Sequence, residues 1–124
     1  HRPASIRVAR AFSDPPMNLL DRGAQRLGLP SASAPDDATI GVRASMLRVQ
    51  PRAGDIALPG TVDLAEISGS DTFVHARTAA GDLVAQLTGV HFFDLGAPIS
   101  LHLAPADVHV FGADGRLLRA PGRH

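Results

Sequence analysis

From residue 39 onward the chain alternates apolar and polar positions with a period close to two. Thr39, Ile40, Gly41, Val42 and Arg43 form a short β-branched run. In residues 61–67, Val62 and Leu64 alternate with polar partners, then the pattern slips at Glu66 and Ile67. A slip of one position in a two-residue period predicts a β-bulge there. Residues 72–78 place Thr72, Val74 and Ala76 on one face, opposite Phe73, His75 and Arg77. Leu83, Ala85 and Leu87 share a face of the next segment, and Ile99, Leu101 and Leu103 share a face of another. A short run at 108–111 and a last one at 116–118 complete the series.

Between these runs lie clusters of turn-forming residues: PRAGD at 51–55, SGSD at 68–71, AGD at 80–82, DLG at 94–96 and ADG at 113–115. Glycine supplies positive φ, and aspartate bonds its own backbone, so each cluster marks a reversal. Many short strands at close spacing predict an all-β fold, a small barrel or sandwich.

The first forty residues read differently. Residues 3–12 (PASIRVARAF) predict a short helix, or the tail of one, because Pro3 suits a first helical turn. Asp14, Pro15 and Pro16 would stop it. Residues 17–20 (MNLL) are then the first strand, and 28–38 (GLPSASAPDDA) a loop.

Composition narrows the partners. The 124 residues suit one domain, and the core must be built from Ala, Val and Leu, since there are five Phe and no Trp or Tyr. Twelve basic and twelve acidic residues cancel, so no footprint for a nucleic acid or an acidic membrane is present. All twelve basic residues are Arg, which removes chemistry that needs an amine. With no Cys there is neither a disulfide nor a thiolate metal site. No apolar run approaches membrane-spanning length, so the cytoplasm is the expected compartment. A chain opening HRPAS without Met is expected to be a piece of something longer.

Catalytic patterns are absent from this sequence. There is no phosphate-binding loop and no G-x-S-x-G nucleophile elbow. Asp36 and Asp37 read as a solvated turn, with no partner base nearby in sequence. Of six His, His102 and His109 are expected to approach each other on neighbouring strands, but none has helical i, i+4 ligand spacing, so no metal site is expected. Phe73, Phe92, Phe93 and Phe111 are expected in the core rather than as stacking platforms for single-stranded nucleic acid.

Four segments in order carry a resemblance. The chain is similar to the C-terminal regulatory part of ATP-binding subunits of bacterial ABC importers, in the group that handles maltose, other sugars, polyols and glycerol phosphate. That part carries a transport-associated OB (TOBE) domain. The opening matches the family's P-A-x-x-F-V-A-x-F-I-G-x-P-x-M-N at Pro3, Ala4, Val8, Ala9, Phe12, Pro15, Met17 and Asn18. Gly41, Val42, Arg43 and Leu47 match its G-I/V-R-P-E-x-L, with Ala44 and Ser45 replacing Pro and Glu. Glu66, Gly69 and Thr72 match an E-x-x-G-x-x-T hairpin. Val108, Phe111, Asp114, Gly115 and Arg116 match a terminal hairpin in which Gly112 stands where Asp is usual.

The resemblance implies a TOBE-like, OB-type β-barrel over residues 17–124. Residues 1–16 would be the short N-terminal helical tail and Pro-rich linker from a nucleotide-binding domain. It implies a regulatory, dimer-stabilising domain with no catalytic, cofactor or metal residues of its own, ATP and Mg belonging to that other domain. Its partners would be a second copy, the permease subunits and regulatory proteins, at the inner face of the plasma membrane, and no nucleic acid. The positions so implicated are Pro15, Met17, Asn18, Arg43, Glu66, Gly69, Thr72, Phe111, Asp114 and Gly115. The rival reading is a small-ligand module that binds an oxyanion such as molybdate through Arg43, Ser45 and backbone N–H groups.

Overall fold

A computed structural model describes residues 6–9, 17–29 and 34–122. The expected corner at Pro15 and Pro16 lies outside these. Among the described residues nine strands form two antiparallel sheets. They are β1 (Ile6–Ala9), β2 (Met17–Asp21), β3 (Thr39–Arg43), β4 (Ile56–Ser68), β5 (Asp71–Thr78), β6 (Gly81–Thr88), β7 (Pro98–Leu103), β8 (His109–Phe111) and β9 (Leu117–Arg119). One sheet runs β1-β2-β3-β8-β9 and the other β6-β5-β4-β7. The two curl around one core, with β1 running beside β6, as an OB-type TOBE fold requires.

The start of the chain departs from expectation. Residues 6–9 are a strand, not a helix, and pair with β2 from Ile6↔Leu20 to Ala9↔Met17. A helix of that length cannot repay its nucleation cost, while Ile6 and Val8 suit a pleated ladder with a ready partner. The only α-helix among the described residues is α1 (Gly23–Leu27), which no periodicity announced. Gly28, at φ 72°, ends it with its N–H on the Gln25 carbonyl while the Leu29 N–H reaches Ala24. A Cβ on Gly23 would lie 2.6 Å from Ile40 Cβ, so the helix sits hard against β3.

The core is aliphatic, as composition requires. Leu20, Ile40, Val42, Leu58, Val62, Val74, Ala76, Leu83, Leu101, Leu103 and Val110 all belong to it. The phenylalanines do not fill it. Phe92 is 86% exposed, Phe73 and Phe111 are half-buried on outward-facing positions, and Phe93 packs only at the edge. Phe73 is out of phase with buried Val74, and strand alternation forces it outward.

The four-stranded sheet depends on β4. Its first half pairs with β7, from Ile56↔Leu103 to Thr61↔Pro98, and its second with β5, from Gly60↔Thr78 to Ser68↔Asp71. The bulge falls between Val62 and Leu64 rather than at Glu66 and Ile67. Val62 exchanges backbone bonds with Ala97 and Gly96, at 2.9 and 2.7 Å, which holds it to the β7 side while the rest turns to β5. At the crossover Gly60 meets both neighbours, and a Cβ there would run into the Arg77 carbonyl oxygen.

Asn18 joins the sheets. It is wholly buried on β2, and its Nδ2 donates to the carbonyls of Val42 (3.1 Å) and Val84 (2.9 Å). Its Oδ1 accepts from Val84 N–H at 2.9 Å. Val84 lies on β6, an edge strand of the other sheet, so one side chain takes the place of a strand partner.

Gly60→Ala should lower stability by about 2–3 kcal/mol, because the clash is with backbone that cannot turn aside. Asn18→Leu should cost about 3 kcal/mol by leaving the Val84 donor and acceptor unmet in a dry interior. Urea unfolding of this chain checks both, and a loss below about 0.5 kcal/mol at either position would contradict the stated cause.

Candidate functional site

The outward positions of β2, β3 and β8 bring together residues far apart in sequence. Register places Met17 opposite Arg43, Leu19 opposite Gly41, and Gly41 opposite His109. Thr39 lies opposite both Asp21 and Phe111. Alternation sends Asn18, Leu20, Ile40, Val42 and Val110 inward and this second set outward.

Gly41 is the floor of this face. A Cβ there would lie 2.8 Å from Met17 Sδ and 3.0 Å from Phe111 Cε2, so both side chains close over it. The rings of His109 and Phe111 stack with centroids 6.2 Å apart and planes 6° from parallel. Burial, then the charge of Arg43, pushes the His109 imidazole below its ordinary value, against a backbone bond at Gly41. The imidazole lies alongside the phenyl, and Arg43 supplies a guanidinium to this face. Three of the implicated residues, Met17, Arg43 and Phe111, converge here.

Asp114 and Gly115 frame the adjoining turn. The Asp114 carboxylate accepts the Arg116 N–H at 3.0 Å, and Gly115 takes φ 87°. Beside it is a recess of about 370 Å³ lined by Leu19, Asp21, Thr39, Phe111 and the turn itself. The surface offers a thioether, an aromatic stack, a guanidinium and a turn backbone.

The other implicated residues serve the second sheet. Gly69, at φ 61°, sits first in the two-residue turn between β4 and β5, where a type II′ hairpin needs glycine. Thr72 is fully buried; its hydroxyl donates to the Gly89 carbonyl at 2.8 Å and accepts from the His91 N–H at 2.9 Å. It therefore ties the β6–β7 connection to β5. Glu66 stands exposed, 3.4 Å from His75 across the strand pair. Pro15 lies outside the described residues.

Of the pair expected to share an oxyanion, Arg43 acts on His109, and Ser45 lines a cleft with Arg48 and His91. His102 and His109 lie on different sheets, and among the described residues no group of three or more His, Asp or Glu is placed to hold a metal ion. Sequence reasoning missed His109 as part of the β8 face. Its signal was the spacing to Phe111, two residues on and so on the same face. It also missed Arg48 and Asp55, which flank the PRAGD turn and pair at 2.9 Å.

The comparisons with known proteins agree with this geometry. The TOBE domain family profile matches residues 40–111, from β3 to the end of β8. The chain is 30% identical over 134 residues to the sn-glycerol-3-phosphate import ATP-binding protein UgpC of Rhodopseudomonas palustris, covering 93% of this chain and 37% of that protein. It is 29% identical over 128 residues to UgpC of Brucella abortus (93% of this chain, 35% of that protein). Against UgpC of Salmonella typhimurium it is 30% identical over 128 residues (91% and 36%). The chain thus spans little more than a third of the length of these relatives. With the profile laid over more than half of its residues and the sheets pairing as an OB-type barrel needs, the chain belongs to the TOBE domain family.

Proposed function

We propose that this chain is the regulatory and dimer-supporting β domain of the ATP-binding subunit of an importer for sugars, polyols or glycerol phosphate. The observation that carries the reading is the alignment itself. Nine-tenths of the chain lies against about a third of proteins named as import ATP-binding proteins. On this reading the remaining two thirds hold ATP and Mg and perform hydrolysis, and β1 belongs to the β domain rather than to the connection between the two parts. The domain contributes no group to the reaction. It supplies surface that stays in contact while the nucleotide sites open and close, a coupling by binding rather than by chemistry.

The partners follow from the same reading: a second copy of the subunit, the permease through the catalytic part, and regulators on the free surface. This puts the protein at the inner face of the plasma membrane. Supporting a self-association role is the β2–β3–β8 face, where Met17, Phe111 and Arg43 form a compact mixed surface. The zero net charge leaves little long-range repulsion to oppose pairing.

Two measurements test the reading. The gene encoding this chain should also encode a G-x-x-x-x-G-K-[ST] loop upstream of residue 1, and a gene without one refutes the parent assignment. Sedimentation velocity over a concentration series should show a two-fold dimer with a constant of about 1 mM or tighter, roughly −4 kcal/mol. Replacing both Arg43→Glu and Phe111→Ala should weaken it at least about tenfold. A strictly monomeric species at about millimolar concentration removes the dimer-supporting role.

A further inference from the structure

Among the described residues, β4 is bordered on both sides only as far as Val62. β7 pairs with it up to Thr61↔Pro98, and Gly96 and Ala97 bond Val62 itself. From Leu64 to Ser68 it pairs with β5 on one side, and no backbone bond among the described residues continues on the other. The connection 89–97 does not close this flank. Its Gly89 and His91 N–H groups turn to the Ser70 carbonyl and the Thr72 hydroxyl before the chain reaches Val62. The far edge of the same sheet, by contrast, is met at Val84 by Asn18. Natural sheets hide or blunt a row of open peptide groups, yet Leu64, Glu66, Ile67 and Ser68 all stand exposed.

The side chains along this edge say what could pair with it. Beyond the bulge, Leu64 and Glu66 share the outward face with His75 and Phe73, while Ala65 and Ile67 share the other face with Val74 and Thr72. Thr72 and Val74 are buried, but Ile67 is 48% exposed, so the inward apolar row ends uncovered. Leu95, 71% exposed, precedes Gly96 at the point where the edge opens. The charge is one-sided. Residues 56–103 carry five carboxylates, at Asp63, Glu66, Asp71, Asp82 and Asp94, against one arginine, Arg77. Arg77 stands 3.5 Å from Asp63, and Glu66 faces His75 at 3.4 Å, a partner charged only when protonated. The neutral total for the chain conceals this acidic sheet. These carboxylates also select the occupant. An antiparallel ladder with the same edge of a second copy would bring the Asp63 and Glu66 of each copy together, and like charges across a strand pair repel.

We propose that β4 takes up a further strand along residues 64–68, and that this strand is an extended segment of another protein in which basic residues alternate with aliphatic ones. Its peptide groups complete the ladder that β7 leaves off at Val62. On one face its basic side chains lie beside Glu66, and on the other its aliphatic side chains cover Ala65 and Ile67, because a strand alternates with the same period as its neighbour. The edge belongs to the sheet that does not carry the β2–β3–β8 face. It rests neither on the dimer nor on the importer reading.

The test is a titration of this chain, followed by its backbone amide resonances, with a capped heptapeptide of alternating arginine and valine at about 0.15 M salt. The peptide should give saturable shifts centred on residues 64–68, with a constant below about 1 mM. Replacing its central valine by proline keeps the charge but removes a ladder donor, and should weaken binding at least about fivefold. The glutamate–valine counterpart should not bind. Glu66→Lys, at an exposed strand position, should weaken binding at least about fivefold. Asp36→Lys, the same charge change on an exposed loop, should leave it unchanged. No saturable shift at 64–68 overturns the site. Equal affinity of the proline peptide overturns strand addition in favour of plain charge attraction, and equal affinity in Glu66→Lys overturns the placement on this edge. Shifts at 64–68 on concentrating the chain alone would mean that a second copy fills the edge, which overturns the assignment to another protein.

Discussion

The four-stranded sheet hangs on one strand, and that strand works because one position along it has no side chain. β4 holds β7 along its first half and β5 along its second. Gly60 belongs to both pairings, pressed against the Arg77 backbone. With the crossover closed, the bulge at Asp63 redirects the strand and Leu58 and Val62 reach the core. The outward face then receives Leu64, 44% exposed and opposite His75, because the phase has already changed before Glu66.

Most strands were legible because period two survives in each of them. Thr72, Val74 and Ala76 are buried, as are Leu83, Ala85, Leu87, Leu101 and Leu103. Two of the misses share a cause: the deciding contact lies outside the local segment. Residues 6–9 are extended because β2 is available to pair with them, and a local reading sees only a proline and a short apolar run. The bulge sits where the 94–97 connection grips Val62, a contact that no alternation near Glu66 records. Helix α1 spans five residues, too few for a 3.6 period to show. The phenylalanines were assigned inward by size, yet the inter-sheet gap is filled by smaller side chains and strand phase turns Phe73 out.

The family-motif residues divide by what they touch. Asn18, Gly69, Thr72 and Gly115 hold the fold through a buried amide, two turns and a loop tie. Met17, Arg43 and Phe111 assemble a surface. The first group follows from backbone geometry. The second reads as a site only once β2, β3 and β8 are side by side, because its members are separated by 26 and 68 positions in the chain.

The buried amide of Asn18 also fixes where the domain physically begins. The family profile starts at residue 40, yet the side chain that satisfies the outer edge of β6 comes from residue 18. A segment cut at the profile boundary would keep all of β4 to β8 and lose β2, exposing one flank of β3 as well as the backbone of Val84. Two open edges on one small domain invite pairing with whatever strand is near. The cooperative unit is therefore longer than the recurrent segment, and a clone trimmed to residues 40–111 would carry the pattern of the family without a closed barrel.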